Sequence, residues 1–423
     1  MAHKTLKSAY QSLEERINRF PLGAAPSDLL HKILALLMSE KEAGLVSLLP
    51  IKPFTVKQAS QLWKLDENVT LKILDSLADR ALILDLPKEG QETRYVLPPP
   101  MAGFFEFSLM RIRGDIDQKY LSELYDEYIT RQDDFLKGLF AGGEMQLGRT
   151  YVNEDALPEN DNLLVLDYER SSHLIKTASH IGVGMCYCRH KKQHLGTACD
   201  APMDICMTLN STADSLIRHG HARRVDNMEA LDLLQLARDK GLVQFGENAQ
   251  ENISFICHCC GCCCEALHAV KKFGSLNPIH TTNFILSVED LACTGCGACV
   301  RTCPVEALSL VNSEQGRKKA VLDASTCLGC GVCVKSCPRK SLKLVPRKLR
   351  IMTPVNSAYR IVLMALERGK LQHLIFDTPA LVSHRVMGNI LGALLKLTPS
   401  LRLKASRQLQ SRYIESMFAK IKN

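Results

Sequence analysis

Six of the eight residues from Cys257 to Cys264, in the stretch CHCCGCCCEA, are cysteine. Neighbouring cysteines rarely bridge to one another, because a disulfide needs a Cα separation of about 5.5 Å. The chain carries 18 cysteines in 423 residues, and its opening MAHKTLKSAYQSLEERINRF contains no apolar secretory segment. A cytoplasmic, reducing setting is therefore expected, where thiols stay reduced. Thiols at this density then read as metal ligands or redox groups.

The other cysteines say which metal chemistry. Cys293-x2-Cys296-x2-Cys299-x3-Cys303-Pro304 repeats 34 residues later as Cys327-x2-Cys330-x2-Cys333-x3-Cys337-Pro338, and the flanks CPVEALSLV and CPRKSLKLV repeat with it. A [4Fe–4S] cube needs four thiolates on four corners. A tight x2-x2 loop wraps three of them, and Gly295, Gly297, Gly329 and Gly331 let the backbone come close. Two zinc sites would instead show paired C-x2-C units. The spacing resembles that of the bacterial two-cluster ferredoxin. The resemblance implies that the two runs exchange their fourth ligands. One cluster would use Cys293, Cys296, Cys299 and Cys337, and the other Cys327, Cys330, Cys333 and Cys303.

Ten cysteines remain. Cys186, Cys188, Cys199 and Cys206 lie in GMCYCRHKKQHLGTACDAPMDICMTL, enough for one more cluster, and Arg189, His190, Lys191, Lys192 and His194 beside them would offset its negative charge. A zinc site and inert core thiols are the alternatives. His190 and His194, at i and i+4, read as hydrogen-bonding neighbours rather than ligands. In the opening stretch, Cys257, Cys259, Cys260 and Cys263 are taken as metal ligands, with Cys262 and Cys264 left over. The stretch precedes EALHAVKKF, a predicted helix, and in helical geometry Cys260 and Cys264 share a face with Cys257 one turn behind. Three arrangements stay open: a fourth cluster with two spare thiols; a less usual cluster, or a cubane with a ligand-poor iron; or an interleaving with the 186–206 group in which all ten cysteines serve two clusters.

These residues need elements to hold them. SDLLHKILALLM, FTVKQASQLWKL and DENVTLKILDSLADRALI each fit an amphipathic helix, and LILDLPKEGQETRYVL alternates around a turn. Three helices and a hairpin resemble a winged helix. Between Thr55 and Tyr95, however, seven acids face six Lys/Arg, and Asp66-Glu67 open the helix that would read DNA. That balance argues against nucleic acid as a partner. From Arg339 onward, 17 Lys/Arg stand against three acids, so the net +8 of the chain is concentrated at that end. This basic tail reads as a helical cover, with an acidic partner or peripheral contact with an anionic membrane as alternatives.

The fold expected is α+β and multidomain. It comprises a winged-helix-like module (1–100), a helical linker (101–170), a cysteine-rich helical domain (171–282), a two-cluster ferredoxin-like domain (283–346) and basic C-terminal helices (347–423). No P-loop or GxGxxG fingerprint supports a nucleotide site. Phrases such as LPPPMAGFFEFSLMR, ASHIGVGMCYCRHK, ACDAPMDICMT and FICHCCGCCCEA are similar to text in large 4Fe–4S dicluster-domain proteins of anaerobic bacteria. The resemblance implies iron–sulfur electron transfer. Together with the cysteine pattern, the expected function is electron transfer through two [4Fe–4S] clusters, with one or two more in the cysteine-rich region, in exchange with a redox partner protein. An oxidoreductase with a substrate-binding cluster near 257–264, and a redox-sensing DNA-binding regulator, are the alternatives.

Overall fold

A computed structural model describes residues 8–140, 143–157, 165–274, 279–312 and 316–377. The basic helices expected beyond Pro379, and the membrane or partner contact assigned to them, lie outside the described residues.

Ser27 accepts the Leu29 N–H and opens the helix Asp28–Leu37, whose Leu30, Ile33, Leu34 and Leu37 form a buried stripe. Thr55 and Gln58 make a capping box for Val56–Trp63, and Asp66 caps Glu67–Ala78 by accepting from Asn68 N–H. A three-stranded sheet packs beside these helices in the order Phe54–Thr55, Gln91–Val96, Leu84–Lys88. The chain then turns sharply at Pro100–Phe104 and buries an aromatic cluster of Phe104, Phe105, Tyr125, Tyr128 and Phe135.

The cysteine-rich region departs from the expected helical domain. It does carry helices, but its frame is a six-stranded antiparallel sheet, ordered Gly148–Thr150, Val243–Glu247, Phe255–Cys259, Asp204–Leu209, Ile181–Met185, Arg223–Arg224. The physical reason is local. IGVGM, DICMTL and FICHC are short and rich in β-branched, aromatic and sulfur side chains, too short for a stable helix but well suited to a buried sheet.

In the following region Phe284–Val288 pairs with Leu342–Pro346, and Leu308–Asn312 pairs with Lys318–Leu322, both antiparallel. The 34-residue repeat thus becomes two hairpin-like halves that trade strands around the helices Ala298–Thr302 and Val332–Lys335. One apolar core runs unbroken from Leu34 through Phe105 and Val243 to Leu328, and it includes Cys259, Cys264, Cys293, Cys299, Cys327, Cys330 and Cys333. At the far end of the described chain, the buried Asp377 carboxylate pairs with Arg16 at 2.8 Å and accepts the Ile51 N–H at 2.6 Å, tying that end to the N-terminal helices. No helix among the described residues is long and apolar enough to cross a membrane.

Candidate metal centres

In the repeat region the glycines open the space. Gly295 and Gly329 hold φ of 67° and 68°, and a Cβ would lie 2.1 Å from the Lys318 carbonyl oxygen at the first and 2.0 Å from that of Phe284 at the second. Only glycine fits there. A small cavity of about 10 Å³ is lined by Cys293, Cys296, Cys299 and Cys337, and a second of about 20 Å³ by Cys303, Cys327, Cys330 and Cys333. Each run of three cysteines therefore meets the last cysteine of the other run. The Ala307 N–H donates to Cys303 Sγ at 3.3 Å, and Cys337 Sγ lies 3.2 Å from Ser341 Oγ. Burial pushes Cys299 and Cys303 up and Cys330 to about 12. Burial also pushes Cys337 up, but its bonds to Ser341 prevail and leave it lowered. A metal entering these sites must displace protons from the buried thiols. Four thiols around each space match the four corners of a cubane.

The ten other cysteines fall into two groups. Cys199, Cys260, Cys262 and Cys263 have sulfurs all within 4.8 Å of one another. Cys199 is 3.5 Å from Cys260 and 3.8 Å from Cys263, and Cys262 is 3.7 Å from Cys263. A single tetrahedral ion with metal–sulfur bonds of about 2.3 Å sets its sulfurs about 3.8 Å apart. The geometry of this group therefore fits one ion better than a cubane, whose thiolates sit on separate irons.

The other six form a closed ring. Cys186 contacts Cys188 and Cys206, Cys257 contacts Cys206 and Cys259, and Cys264 contacts Cys188 and Cys259. The sheet builds this ring. In the strand Phe255–Cys259, side chains alternate, so Cys257 and Cys259 share one face. Met207 pairs with Ile256 on the adjacent strand, which sets Cys206 beside Cys257. Cys186 and Cys264 are the N-caps of Tyr187–His194 and Glu265–Phe273. Both are lowered, first by hydrogen bonds from ring neighbours, with help from the backbone N–H of Arg189 for Cys186 and of Leu267 for Cys264. Cys257 is likewise lowered to about 6 by Cys206 and Cys259, while Cys188, Cys206 and Cys259 are raised. Lowered and raised thiols alternate around the ring.

One buried cation faces this ring, and a buried ion pair braces the helices beside it. Arg189 is fully buried and donates to the carbonyls of Pro202 at 2.8 Å and His258 at 2.6 Å. Burial pushes it down, but the sulfurs of Cys186, Cys206, Cys260 and Cys259 prevail and raise it, so its cation faces both groups. Lys191 forms a buried ion pair with Glu265, joining the helix that bears Cys188 to the helix that Cys264 caps.

The structure thus does not bring Cys186, Cys188, Cys199 and Cys206 together, since Cys199 joins the other group. Nor does it gather Cys257, Cys259, Cys260 and Cys263, which divide between the two. Cys262 and Cys264, expected to be spare, are members. The helical face expected for Cys257, Cys260 and Cys264 does not form, because Cys257 lies in a strand and only Cys264 touches the helix. Both groups draw cysteines from both stretches, 186–206 and 257–264, although the four-thiol group fits a single ion rather than the second cluster expected of an interleaved arrangement. The period-two alternation of Phe255, Cys257 and Cys259 was the available signal. His190 and His194 hydrogen-bond to each other at 3.1 Å, and His190 also bonds the Leu109 carbonyl.

A family model described as a 4Fe-4S dicluster domain matches residues 292–341, a span that contains the eight cysteines of the repeat. No curated protein and no solved structure matches the chain.

Proposed function

We propose that this chain, with a 4Fe-4S dicluster domain at residues 292–341, is an electron-transfer protein that carries single electrons between a redox partner protein and the cysteine-rich region. The observation that carries this reading is the continuity of the core, which holds cysteines of the repeat and of the six-thiol ring in one packed unit. Cys293, Cys296, Cys299 and Cys337 would hold one cubane and Cys303, Cys327, Cys330 and Cys333 the other. Each bound cubane supplies a one-electron acceptor with no open coordination position. The residues around them exclude water and donate hydrogen bonds to sulfur, which sets the potential. Cys199, Cys260, Cys262 and Cys263 would hold a single ion. Cys186, Cys188, Cys206, Cys257, Cys259 and Cys264 would hold an iron–sulfur group larger than a cubane's four thiolates serve, with Arg189 balancing its charge.

A second reading, an oxidoreductase whose substrate meets the six-thiol ring, is favoured by one observation. A cavity of about 350 Å³ has ring cysteines in its wall. The regulator reading is the weakest, because Asp66 caps the candidate recognition helix and turns an acid toward any phosphate there. Coulometric reduction of anaerobically purified protein tests the main reading. Uptake of clearly more than about two electrons per chain, two cubanes' worth, supports it. Uptake of two or fewer contradicts an electron-carrying role for the ring.

A further inference from the structure

All six ring cysteines lie in the wall of one cavity, which extends well beyond them. The spaces at the repeat cysteines measure about 10 and 20 Å³, whereas this one measures about 350 Å³, the size of a small-molecule pocket. Its apolar wall is drawn from the whole chain, with Leu22 and Ile51 from the N-terminal module, Phe107 and Met110 from the next segment, Phe255 from the sheet and Met364 from the helix Ser357–Glu367.

The charged groups in the wall are already engaged. Arg360 pairs with Glu247, Glu265 pairs with Lys191, and Arg189 is bound to two backbone carbonyls and faces cysteine sulfurs. Arg189 and Arg360 each keep a buried Nε without a partner, but the charge of each is already offset, by cysteine sulfurs and by Glu247, so a neutral occupant that accepts a hydrogen bond is favoured over an anion.

Two polar groups are poised differently. Tyr187 is 5% exposed, lines the cavity, and its hydroxyl has no hydrogen-bond partner among the described residues. A buried hydroxyl left unpaired costs about 1–3 kcal/mol, so its state calls for a partner. Glu106 lines the same cavity and is held by the N–H groups of Ala102 at 2.8 Å and Gly103 at 3.1 Å. The loop that supplies them bends through a left-handed Ala102 at φ 55°, a strained conformation of the kind found at functional sites. Burial, tempered by those two N–H groups, pushes the Glu106 carboxyl up to about 7, so it carries a proton far more readily than an exposed carboxyl. A tyrosine hydroxyl free to donate in an apolar wall is a group that holds a carbonyl oxygen.

We propose that this cavity binds a neutral, mainly apolar carbonyl compound, its oxygen taken by the Tyr187 hydroxyl and its body lying against the six-thiol ring. Binding stands by itself, whereas what the occupant does there rests on the oxidoreductase reading. Calorimetric titration of the full chain, purified without oxygen, with acetophenone, ethylbenzene and benzoate tests it. Acetophenone should bind most tightly. Tyr187→Phe should weaken acetophenone about tenfold, the loss of one hydrogen bond, and leave ethylbenzene unchanged. Ile361→Trp, at a partly exposed lining position, should weaken both. Absence of acetophenone binding, binding no tighter than benzoate, or binding indifferent to both substitutions would overturn the proposal. Iron measured on the same sample separates the two ideas. A full complement without acetophenone binding sinks the cavity proposal alone. Tyr187-dependent binding in protein holding only about eight irons, two cubanes' worth, supports the cavity and removes the cluster from the ring.

Discussion

Gly261 lies directly against Pro304, and a Cβ at position 261 would sit 2.3 Å from the Pro304 carbonyl oxygen. Gly261 separates Cys260 from Cys262 in the four-thiol group, and Pro304 follows Cys303 of the repeat. The two cysteine systems therefore touch through backbone, with no side chain between them.

Gly261→Ala should push these two loops apart. Because the obstacle is backbone, the substitution should destabilise the fold by about 1–3 kcal/mol, as overpacking does. It should also weaken metal retention at Cys199, Cys260, Cys262 and Cys263. Denaturant unfolding and metal analysis of the purified variant check both. An unchanged midpoint and metal content would mean the loops are free to separate.

Gly329→Ala should act on one half of the repeat only. The position combines φ of 68° with a backbone oxygen 2.0 Å from the added carbon, so no relaxation of a side chain can make room. About four irons per chain should be lost, the share of one cubane, with the other half intact. Iron analysis with EPR of the reduced protein distinguishes a selective loss from general unfolding.

How far these sites were legible in the sequence follows from chain separation. The repeat could be read because three cysteines of each run sit within seven residues and a fourth, which joins the other run's site, follows at fixed spacing. The α+β character and the helix caps at Ser27 and Thr55 were equally local. The division of the ten other cysteines was not legible. It depends on the register of Met207 against Ile256, a pairing between strands distant in sequence. A helical reading of residues 257–264 also misassigned faces, because it passed over the period-two alternation of Phe255, Cys257 and Cys259 that marks a strand. The cavity was invisible for the same reason, since its wall joins residues as distant as Leu22 and Met364.

Lys191→Met should be strongly destabilising. Its ammonium is fully buried against Glu265, itself 2% exposed, and removing one partner strands the other charge. The expected loss is about 3–5 kcal/mol in denaturant unfolding. A variant as stable as the parent would show that the pair does not hold the two helices together.

Arg189→Met should make the six-thiol site harder to reduce, because the cation that faces Cys186, Cys206 and Cys259 is gone. A redox titration should show its midpoint moved to more negative potential while the repeat clusters stay put. A midpoint that does not move would remove Arg189 from the electrostatics of the site.

Glu106 should leave a mark on stability against pH. Burial raises its folded-state pKa from 4.5 to about 7, so the native state holds its proton longer than the unfolded chain does. Its contribution is fully present below about pH 4.5 and is lost as pH rises toward 7, an effect of order 3 kcal/mol. Glu106→Gln should flatten this part of the profile. Parallel profiles for parent and variant between pH 4.5 and 7 would contradict the assignment.

The most direct test of the whole account is a count of iron and acid-labile sulfide in protein purified without oxygen, with EPR of the reduced sample. The account predicts a brown protein with clearly more than about eight irons per chain, the two cubanes of the repeat plus those of the ring, and matching sulfide. A colourless protein that holds zinc alone, or no metal, would contradict it.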